Sequence, residues 1–361
     1  MDIVLATGIY PPDIGGTATY AESLAKELRK LGNTVSIITY GKANGIEVRN
    51  QVVTVSKEGG MFKRWKRYRE AVKTYASNAD AIIAFSSVSV GMPLMQKLKK
   101  PKKVLRLGGE FFWERYTDAG GMKSLAAWHR SRFGFWRFMD HLFMEAILKS
   151  FNSVVYSTKF QSDLHEKRYS LKKTAIIENA FPDSSYIKHI AHRPFKLLCV
   201  SRFVGFKNLP TLISALKDLP EVRLTLVGSG PLEEQLKEQA KSLGLESKVT
   251  FISAVSSEKK FALFAEHDAL IIPSVTDISP NTALEARAHG LPVILTSENG
   301  LSAELSSGML VTSLQRKSDM KAGIHLLMQE YSRWAASASS PSPERSWKMV
   351  AEEWHNYLKT L

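Results

Sequence analysis

The sequence predicts an α/β protein with two successive domains, each built on a parallel, doubly wound sheet. Short runs rich in Ile and Val alternate with helical patterns along the whole chain, which is typical of βαβ units. A length of 361 residues exceeds that of one ordinary domain, and an apolar fraction of 44% suffices for two hydrophobic cores. A Pro-bounded segment without apolar periodicity, residues 182–194, separates the two alternating halves and predicts a linker.

The elements follow the same order in both halves. In the first half, apolar runs predict strands at DIVLAT, TVSIIT, AIIAF, KVLRL and SVVYS, with a helix in TATYAESLAKELRKLG. In the second half they predict strands at FKLLCV, VRLTLVG, VTFI, ALIIP and LPVILT. We therefore expect an N-terminal domain over residues 1–187 and a C-terminal domain over residues 188–345. A last helix over residues 346–361 has an apolar face, which we expect to pack on the N-terminal domain or, alternatively, on a partner subunit.

The net charge of +14 is concentrated in the N-terminal half. Residues 1–189 contain 30 Lys and Arg against 17 Asp and Glu, and residues 57–106 alone contain 13 basic and 3 acidic side chains. Such a local excess favours a phosphate-rich partner. We expect residues 57–106 to contact an anionic membrane surface, whereas an ordinary solvated basic face is the alternative.

Cysteine usage and hydropathy predict a cytoplasmic protein. The one cysteine, Cys199, lies in the apolar run KLLCVS, where a buried structural thiol is expected. The chain runs from Met1 directly into a predicted strand, and no apolar run approaches the roughly 18 residues needed to span a bilayer. Any membrane contact is therefore expected to be peripheral.

Two loops after predicted strands have the composition of ligand sites. The loop YPPDIGGTATY places Gly15 and Gly16 between the first strand and the first helix, where backbone N–H groups can approach a ligand. Its spacing is not that of a dinucleotide fingerprint, and a plain tight turn is the alternative. In CVSRFVGFKNLP, Arg202 and Lys207 follow a strand, where two cations suit a diphosphate. A solvated surface pair is the alternative.

Two further segments add candidate ligand groups. The turn VGSGP brings Gly228 and Gly230 into the crevice at a strand end. In PSVTDISPNTALEARAHG, Asp277 lies in a loop and Glu285 on the second turn of a helix that begins near Asn281. The two carboxylates can therefore accept hydrogen bonds from different groups of hydroxyls. The backbone N–H groups of residues 278–281, which include Ile278, Ser279 and Asn281, precede the helix and suit the same ligand.

These motifs resemble glycosyltransferase family 4, retaining enzymes of the GT-B fold in which two Rossmann-like domains face each other across a cleft. In that family an Arg and a Lys after the first C-terminal strand bind the donor's phosphates, which implies this role for Arg202 and Lys207. The family's two glutamates separated by seven residues fall on Asp277 and Glu285, the first binding the donor sugar and the second the ribose. Here the first is an aspartate, and ISP replaces the usual Gly-Phe-Gly. The Gly15–Gly16 loop also resembles the family's.

A second departure follows the strand KVLRL. Many members carry a catalytic-site histidine there, and this sequence has Gly108 or Gly109 at the corresponding place. GGEFFWE resembles the Gly-Asp, aromatic and Trp-Glu pattern of some members, which makes Glu110 an acceptor-side candidate. A surface glutamate is the alternative. Four histidines in helical patterns, without the spacing of metal ligands, are interpreted as structural: His129, His141, His267 and His289.

The sequence therefore predicts a retaining hexosyltransferase that uses a UDP- or GDP-linked sugar and a glycan or lipid-linked acceptor in polysaccharide or glycolipid biosynthesis. No D-x-D triplet occurs, so we expect no metal site and no cofactor, with fixed cations on the leaving diphosphate instead. A nucleotide-sugar epimerase of the same fold is the alternative enzyme. A nucleic-acid-binding protein is a third candidate because the pI is 9.6, but the nearly neutral C-terminal half argues against it and no nucleic acid is expected.

Overall fold

A computed structural model of the protein describes residues 1–131, 134–182, 186–340 and 344–361. The described chain forms two compact units. Unit 1 comprises Met1–Phe111, Arg132–Ala180 and Arg345–Leu361, and unit 2 comprises Phe112–Ser131 and Phe181–Glu344. Residues 183–185 of the expected linker lie outside the described residues.

The elements alternate between strand and helix along the chain. The strands are β1 (Asp2–Thr7), β2 (Thr34–Gly41), β3 (Ile46–Arg49), β4 (Val52–Ser56), β5 (Ala81–Phe85), β6 (Lys102–Leu107), β7 (Ser153–Tyr156), β8 (Thr174–Ile176), β9 (Phe195–Val200), β10 (Val222–Val227), β11 (Val249–Ile252), β12 (Ala269–Ile272), β13 (Val293–Thr296) and β14 (Leu310–Thr312). The α-helices are α1 (Gly16–Lys30), α2 (Met61–Tyr75), α3 (Phe111–Asp118), α4 (Leu125–Arg130), α5 (Phe135–Lys149), α6 (Lys159–Glu166), α7 (Leu209–Ala215), α8 (Glu233–Ser242), α9 (Ser257–Glu266), α10 (Asn281–Ala288), α11 (Lys317–Gln329), α12 (Tyr331–Ala338) and α13 (Trp347–Lys359).

Unit 1 is built on an eight-stranded sheet in the order β3-β4-β2-β1-β5-β6-β7-β8, parallel except for β3, which is antiparallel to β4. Helix α1 buries its apolar stripe against one face of this sheet, and α13 packs beside it. The core there includes Leu24 and Leu28 of α1 with Val350 and Trp354 of α13, and the indole of Trp354 donates a hydrogen bond to the Tyr20 hydroxyl at 2.9 Å. The last helix is thus an integral part of unit 1.

Unit 2 is built on a six-stranded parallel sheet in the order β11-β10-β9-β12-β13-β14. Successive residues of its central strands face opposite sides, so that Leu197 and Leu198 belong to two separate hydrophobic clusters. The chain winds outward from β9 in one direction and from β12 in the other. Neighbouring strands β9 and β12 therefore form a topological switch point, where parallel sheets leave a crevice at the carboxyl ends of the strands.

One segment departs from the domain boundaries read from the sequence, which assign residues 1–187 to a single domain. Residues 112–131, all but the first residue of α3 and the whole of α4, cluster with unit 2 instead. The physical reason is packing, because the buried indole of Trp113 lies against Phe206 with ring centroids 5.5 Å apart. The chain thus leaves unit 1 after β6, packs on unit 2, and returns before α5.

The ten strands expected from apolar runs are all present, whereas four others are additional: β3, β4, β8 and β14. Cys199 is buried on β9, and burial raises its pKa to about 12, as expected for an inert structural thiol. Among the described residues, no helix combines the length and the hydrophobicity that crossing a bilayer requires.

Candidate functional site

The loop between β9 and α7 carries both predicted cations of unit 2. It leaves the sheet after Val200, makes a short helical turn at Gly205–Lys207, and enters α7 through Asn208, which has left-handed backbone angles. Lys207 is largely buried, with 17% of its side chain exposed, whereas Arg202 is 66% exposed. The aromatic ring of Phe206 lies beneath both, 4.9 Å from Lys207 Nζ and 5.8 Å from the Arg202 guanidinium carbon.

Asp277 is bound directly to Lys207. Its Oδ2 atom accepts hydrogen bonds from Lys207 Nζ at 2.6 Å and from the Ser274 hydroxyl at 2.9 Å, and only 10% of its side chain is exposed. Backbone hydrogen bonds also hold the loop, since Val275 N–H donates to the Phe206 carbonyl at 2.8 Å. The first predicted carboxylate and the second predicted cation therefore form one fixed unit at the switch point.

The turn after β10 packs against the β9–α7 loop that carries Arg202 and Lys207, which we call the cationic loop. Gly228 and Gly230 have φ angles of 149° and 157°, and a Cβ on either would lie 1.9 Å from the Ser201 carbonyl oxygen or 2.5 Å from that of Phe203. Only glycine allows such an approach. Phe203 N–H donates to the Ser229 carbonyl at 2.8 Å, so the turn and the cationic loop are hydrogen-bonded to each other.

Glu285 has a lysine partner that the motif did not predict. It lies on the second turn of α10, as expected, and its Oε2 atom is 2.6 Å from Lys260 Nζ on α9. Both side chains are about 15% exposed, Lys260 at 15% and Glu285 at 14%. No periodicity singles out Lys260 within SEKKFALFAE, because the pairing depends on how α9 packs beside α10. Each predicted carboxylate of unit 2 is thus paired with one ammonium group.

The residues before α10 differ in exposure. Ser279 and Asn281 are half-buried at the entrance of the helix, whereas the side chain of Ile278 is buried, so Ile278 can present only its backbone to a ligand. Asn281 is the first residue of α10, as predicted.

The α3–α4 segment forms a wall beside the cationic loop. Glu114 Oε2 lies 3.6 Å from Arg202 Nη2, and the Asp118 carboxylate accepts the Gly205 N–H at 2.9 Å. The Leu125 N–H at the start of α4 donates to the Thr276 hydroxyl at 2.9 Å. Sequence reasoning missed this arrangement because no apolar period or motif assigns residues 112–131 to unit 2.

The remaining predicted residues lie in unit 1. Gly15 and Gly16 begin α1 at the carboxyl end of β1, next to the switch point between β1 and β5. Glu110 follows β6 at the same edge of the sheet, and Gly108 and Gly109 precede it.

Glu110 is buried, which corrects its alternative interpretation as a surface glutamate. Only 6% of it is exposed, its Oε1 atom accepts a hydrogen bond from the Gln161 amide at 3.3 Å, and it contacts the ring of His165 on α6. Burial and the Glu110 charge both raise the pKa of the nearby Tyr156. Sequence reasoning missed His165, since its contact with Glu110 links two distant parts of the chain.

Two of the histidines that were interpreted as structural have structural contacts in unit 2. His267 is bonded at both ring nitrogens, to the Leu263 carbonyl at 2.7 Å and the Thr225 hydroxyl at 2.8 Å. His289 contacts the Glu285 carbonyl at 2.8 Å and stacks on Phe261. Burial lowers the pKa of His267.

The site of unit 2 thus combines the exposed Arg202 and the half-buried Lys207 with two carboxylates, Asp277 and Glu285, that are each paired with a lysine. The glycine turn after β10 packs closely against the loop that carries the two cations. Residues 182–334, which include this site except its α3–α4 wall, match the family model of the glycosyl transferases group 1. The chain is therefore a glycosyltransferase, and its residues 182–334 match the group 1 family. Mannosylfructose-phosphate synthase of Agrobacterium fabrum is 26% identical over 348 residues, which cover 83% of this glycosyltransferase and 76% of that enzyme.

Solved structures share the architecture over nearly the whole chain. Sucrose-phosphate synthase from Thermosynechococcus elongatus superimposes with a TM-score of 0.80 at 18% identity, covering 99% of this chain and 98% of that one. Anabaena HepE, solved in complex with UDP and glucose, superimposes with a TM-score of 0.73 at 17% identity, covering 99% of both chains. This glycosyltransferase therefore has the GT-B fold, with two Rossmann-like domains.

Proposed function

We propose that this glycosyltransferase moves a sugar from a UDP- or GDP-linked donor to a glycan or lipid-linked acceptor, with retention of the anomeric configuration. The family match supports the nucleotide-sugar donor, as does the arrangement of the cationic loop and the glycine turn in unit 2. Retention rests on the resemblance to family 4. The solved HepE complex contains UDP and glucose, which makes a uridine nucleotide the first donor to test.

The observation that carries this proposal is the pair of cations at the carboxyl edge of the unit 2 sheet. Arg202 is exposed enough to grip phosphate oxygens, whereas Lys207 is held in place by Asp277 at 2.6 Å. As the glycosidic bond to phosphate breaks, negative charge develops on the departing diphosphate. Preorganised cations stabilise that charge more than the ground state, which is how they accelerate the reaction.

The carboxylates and the glycine turn bind the rest of the donor in this proposal. Asp277 accepts hydrogen bonds from hydroxyls of the donor sugar, and Glu285 accepts them from the ribose. Gly228 and Gly230 let the backbone approach the nucleotide, and the backbone N–H groups of Ile278, Ser279 and Asn281 add donors at the start of α10. Gly15, Gly16 and Glu110 of unit 1 are proposed to contact the transferred sugar and the acceptor.

We propose that the acceptor lies on an anionic membrane surface that the basic region, residues 57–106, contacts. Seven Lys or Arg and two Glu in residues 57–75 support this partner, because clustered cations are attracted to anionic lipid headgroups. The enzyme would then act as a peripheral protein on the cytoplasmic face.

The role of the cations is tested by substitution. Removing one transition-state stabilising group costs about 10²- to 10³-fold in turnover, so Arg202→Ala and Lys207→Ala should each lower kcat by that factor. Lys241→Ala, an exposed lysine on α8, is the matched control and should leave kcat unchanged. Near-normal turnover of both cation variants would remove them from the mechanism.

A donor screen separates the competing enzyme classes. A saturating nucleotide sugar stabilises the protein that binds it, so thermal shift with UDP- and GDP-sugars should identify one donor. Incubation of that donor alone should give no epimer, and transfer should require an added acceptor. Formation of an epimer would favour the epimerase, and NMR of the transferred linkage checks retention.

We also propose that transfer requires no metal ion, because Arg202 and Lys207 neutralise the diphosphate directly. Turnover in the presence of excess EDTA should equal turnover without it, whereas loss of activity that Mg²⁺ or Mn²⁺ restores would contradict this expectation. Thermal shift with the donor, with and without EDTA, distinguishes a metal needed for donor binding from one needed for catalysis.

A further inference from the structure

The basic region 57–106 does not form a single surface. Lys103 and Arg106 are buried inside unit 1, where Lys103 Nζ donates to the Leu94 carbonyl at 2.9 Å and Arg106 packs over Tyr20 at 3.7 Å. Burial lowers the pKa of Lys103. Lys97, Lys99 and Lys100 precede β6 at the amino edge of the sheet, and Lys102 is the first residue of that strand. Lys57 precedes helix α2, and this helix, which follows β4, carries the other six cations.

Helix α5 leaves an apolar stripe uncovered. Phe135, Phe138, Met139 and Leu142 are spaced as i, i+3, i+4 and i+7, which places them on one face. They are 69%, 49%, 45% and 42% exposed, and the neighbouring Trp136 is 80% exposed. The buried residues of the same helix, Met144, Ile147 and Leu148, all lie in its second half. The first two turns of α5 therefore present a contiguous apolar surface to their surroundings.

Helix α2 presents the same combination of residues at its own first turn. Phe62 is 77% exposed and Met61 is 44% exposed, next to the exposed Lys63 and Lys66. Its buried residues, Tyr68, Ala71 and Val72, lie in the second half, as they do in α5. Both helices pack against the helical turn Ser87–Gly91 and so lie on the same face of the unit 1 sheet.

The first turns of α2 and α5 lie at the same edge of the sheet. Helix α2 connects β4 to the parallel strand β5, and α5 precedes β7, so each runs antiparallel to the strands and begins at their carboxyl edge. Gly15, Gly16 and Glu110 lie at that edge of unit 1 as well. Apolar side chains beside cations at one edge are the combination that anchors proteins in the interface of an anionic bilayer.

We propose that the first two turns of α5 and the first turn of α2 form a membrane-insertion surface, in which Phe62, Phe135, Trp136 and Phe138 enter the headgroup region of an anionic bilayer. Lys63 and Lys66 then contact the headgroups. An anionic lipid is favoured over a second copy of the chain because cations flank the apolar residues, and like charges would oppose each other across a symmetric contact. This inference refines the membrane partner of the proposed function.

Vesicle flotation tests the surface without requiring transfer. The full-length protein is mixed at about 0.15 M salt with phosphatidylcholine vesicles or with vesicles that also contain phosphatidylglycerol. We expect flotation with the anionic vesicles. The triple variant Phe135→Ser/Trp136→Ser/Phe138→Ser should bind them at least about tenfold more weakly. The control is Leu326→Ser/Met349→Ser, which removes apolar side chains that are 37% and 41% exposed from α11 and α13 and should bind normally.

Fluorescence locates the inserted residue. Brominated lipids should quench the wild-type tryptophan emission, and Trp136→Phe should remove most of that quenching while preserving the thermal melting temperature. Equal flotation of the triple variant and the wild type would overturn the inference. If the wild type does not float and light scattering shows a doubled mass that the triple variant lacks, the surface is assigned to a contact with a second copy of the chain. Binding of the nucleotide-sugar donor, followed by thermal shift without vesicles, remains measurable in either case, so failure here is distinct from failure of the proposed donor site.

Discussion

The ion pair between Lys207 and Asp277 gives both groups a defined geometry before any donor binds. Both contacts of the carboxylate use Oδ2, since Ser274 and Lys207 donate to that atom, and among the described residues no hydrogen bond to Oδ1 is found. In the proposed function, Oδ1 is therefore the oxygen that accepts a hydrogen bond from a sugar hydroxyl. The shorter aspartate fits this arrangement, because a longer glutamate at position 277 would have to move away from Ser274 or displace Lys207.

Lys260 forms an ion pair with Glu285, and its removal should weaken donor binding. Without the ammonium group at 2.6 Å, the Glu285 carboxylate loses its orientation and remains largely buried. A hydrogen bond from a ribose hydroxyl to the charged Glu285 carboxylate would contribute about 1.5–3 kcal/mol, so its loss in Lys260→Met should raise the Kd for the nucleoside diphosphate by about tenfold or more. The measurement is isothermal titration calorimetry, together with KM and kcat for the full donor.

The adjacent residue supplies the control for this prediction. Lys259 precedes Lys260 on α9 but is exposed, so Lys259→Met changes the same charge without touching Glu285. If Lys260 positions Glu285, KM should rise more than kcat falls in Lys260→Met. Lys260→Arg should then restore part of the affinity for the nucleotide. If Lys260→Met and Lys259→Met bind the nucleotide equally well, Lys260 has no role at the donor site.

At the scale of elements, the contact between α3 and the cationic loop should be sensitive to one methyl group. A Cβ at Gly205 would lie 2.3 Å from the Thr117 carbonyl oxygen and 2.8 Å from the Asp118 amide nitrogen. Both are backbone atoms, so α3 or the loop must shift. Overpacking of this kind costs about 1–3 kcal/mol, and Gly205→Ala should lower the free energy of unfolding and the donor affinity together. Urea unfolding and nucleotide titration measure the two effects.

Gly60→Ala is a suitable control because an added Cβ there meets no atom within 4 Å. That variant should keep the donor affinity of the wild type and lose little stability. An unchanged donor affinity of Gly205→Ala would show that the α3–α4 wall does not support the cationic loop. The comparison therefore separates a general loss of stability from a local effect at the site.

The central strands were predictable from the sequence because buried parallel strands are continuous apolar runs. The strand FKLLCV has this pattern, and β9 occupies the same residues, Phe195–Val200. The strands that the sequence did not indicate are short and partly exposed, as β8 and β14 show with three residues each. Their pairing depends on a neighbouring strand rather than on their own apolar content, so no local pattern predicts them.

The site was predictable where a motif places residues after a strand, and not where packing decides. Arg202, Lys207 and Asp277 follow β9 and β12, and neighbouring parallel strands bring their carboxyl ends together. Lys260, Glu114 and His165 reach the candidate residues from other helices. Their contacts are set by how helices pack on the sheets, which leaves no signal in the spacing of residues along the chain.

At the scale of the whole molecule, the distribution of charge follows the division into units. The excess of basic side chains lies in the N-terminal half of the sequence, whereas residues 190–340 are nearly balanced with 16 basic and 15 acidic residues. If unit 2 binds the donor as proposed, its nearly neutral charge limits the non-specific attraction of nucleotides, and Arg202 and Lys207 act locally. The stability of unit 2 should accordingly depend on buried titratable groups more than on net charge.

Two buried histidines of unit 2 predict how its stability changes with pH. Burial lowers the pKa of both His189 and His267 below the ordinary value of 6.5. The Leu263 carbonyl can only accept a hydrogen bond, so Nδ1 of His267 carries the proton and Nε2 accepts from the Thr225 hydroxyl. Protonation of Nε2 would place a positive charge in this buried position and make the Thr225 hydroxyl the acceptor of the second bond, whereas the unfolded chain accepts the proton freely.

Below pH 6.5 the unfolded state therefore binds more protons than the folded state, and the stability contributed by neutral His189 and His267 is lost as the pH falls through that window. Urea unfolding at pH 7.5, 6.5 and 5.5 should show a decreasing free energy of unfolding. In His267→Gln the decrease should be smaller, whatever its stability at pH 7.5. The control is His325→Gln on α11, whose side chain is 38% exposed and whose slope should equal that of the wild type. An identical slope in all three proteins would show that His267 does not couple folding to protonation.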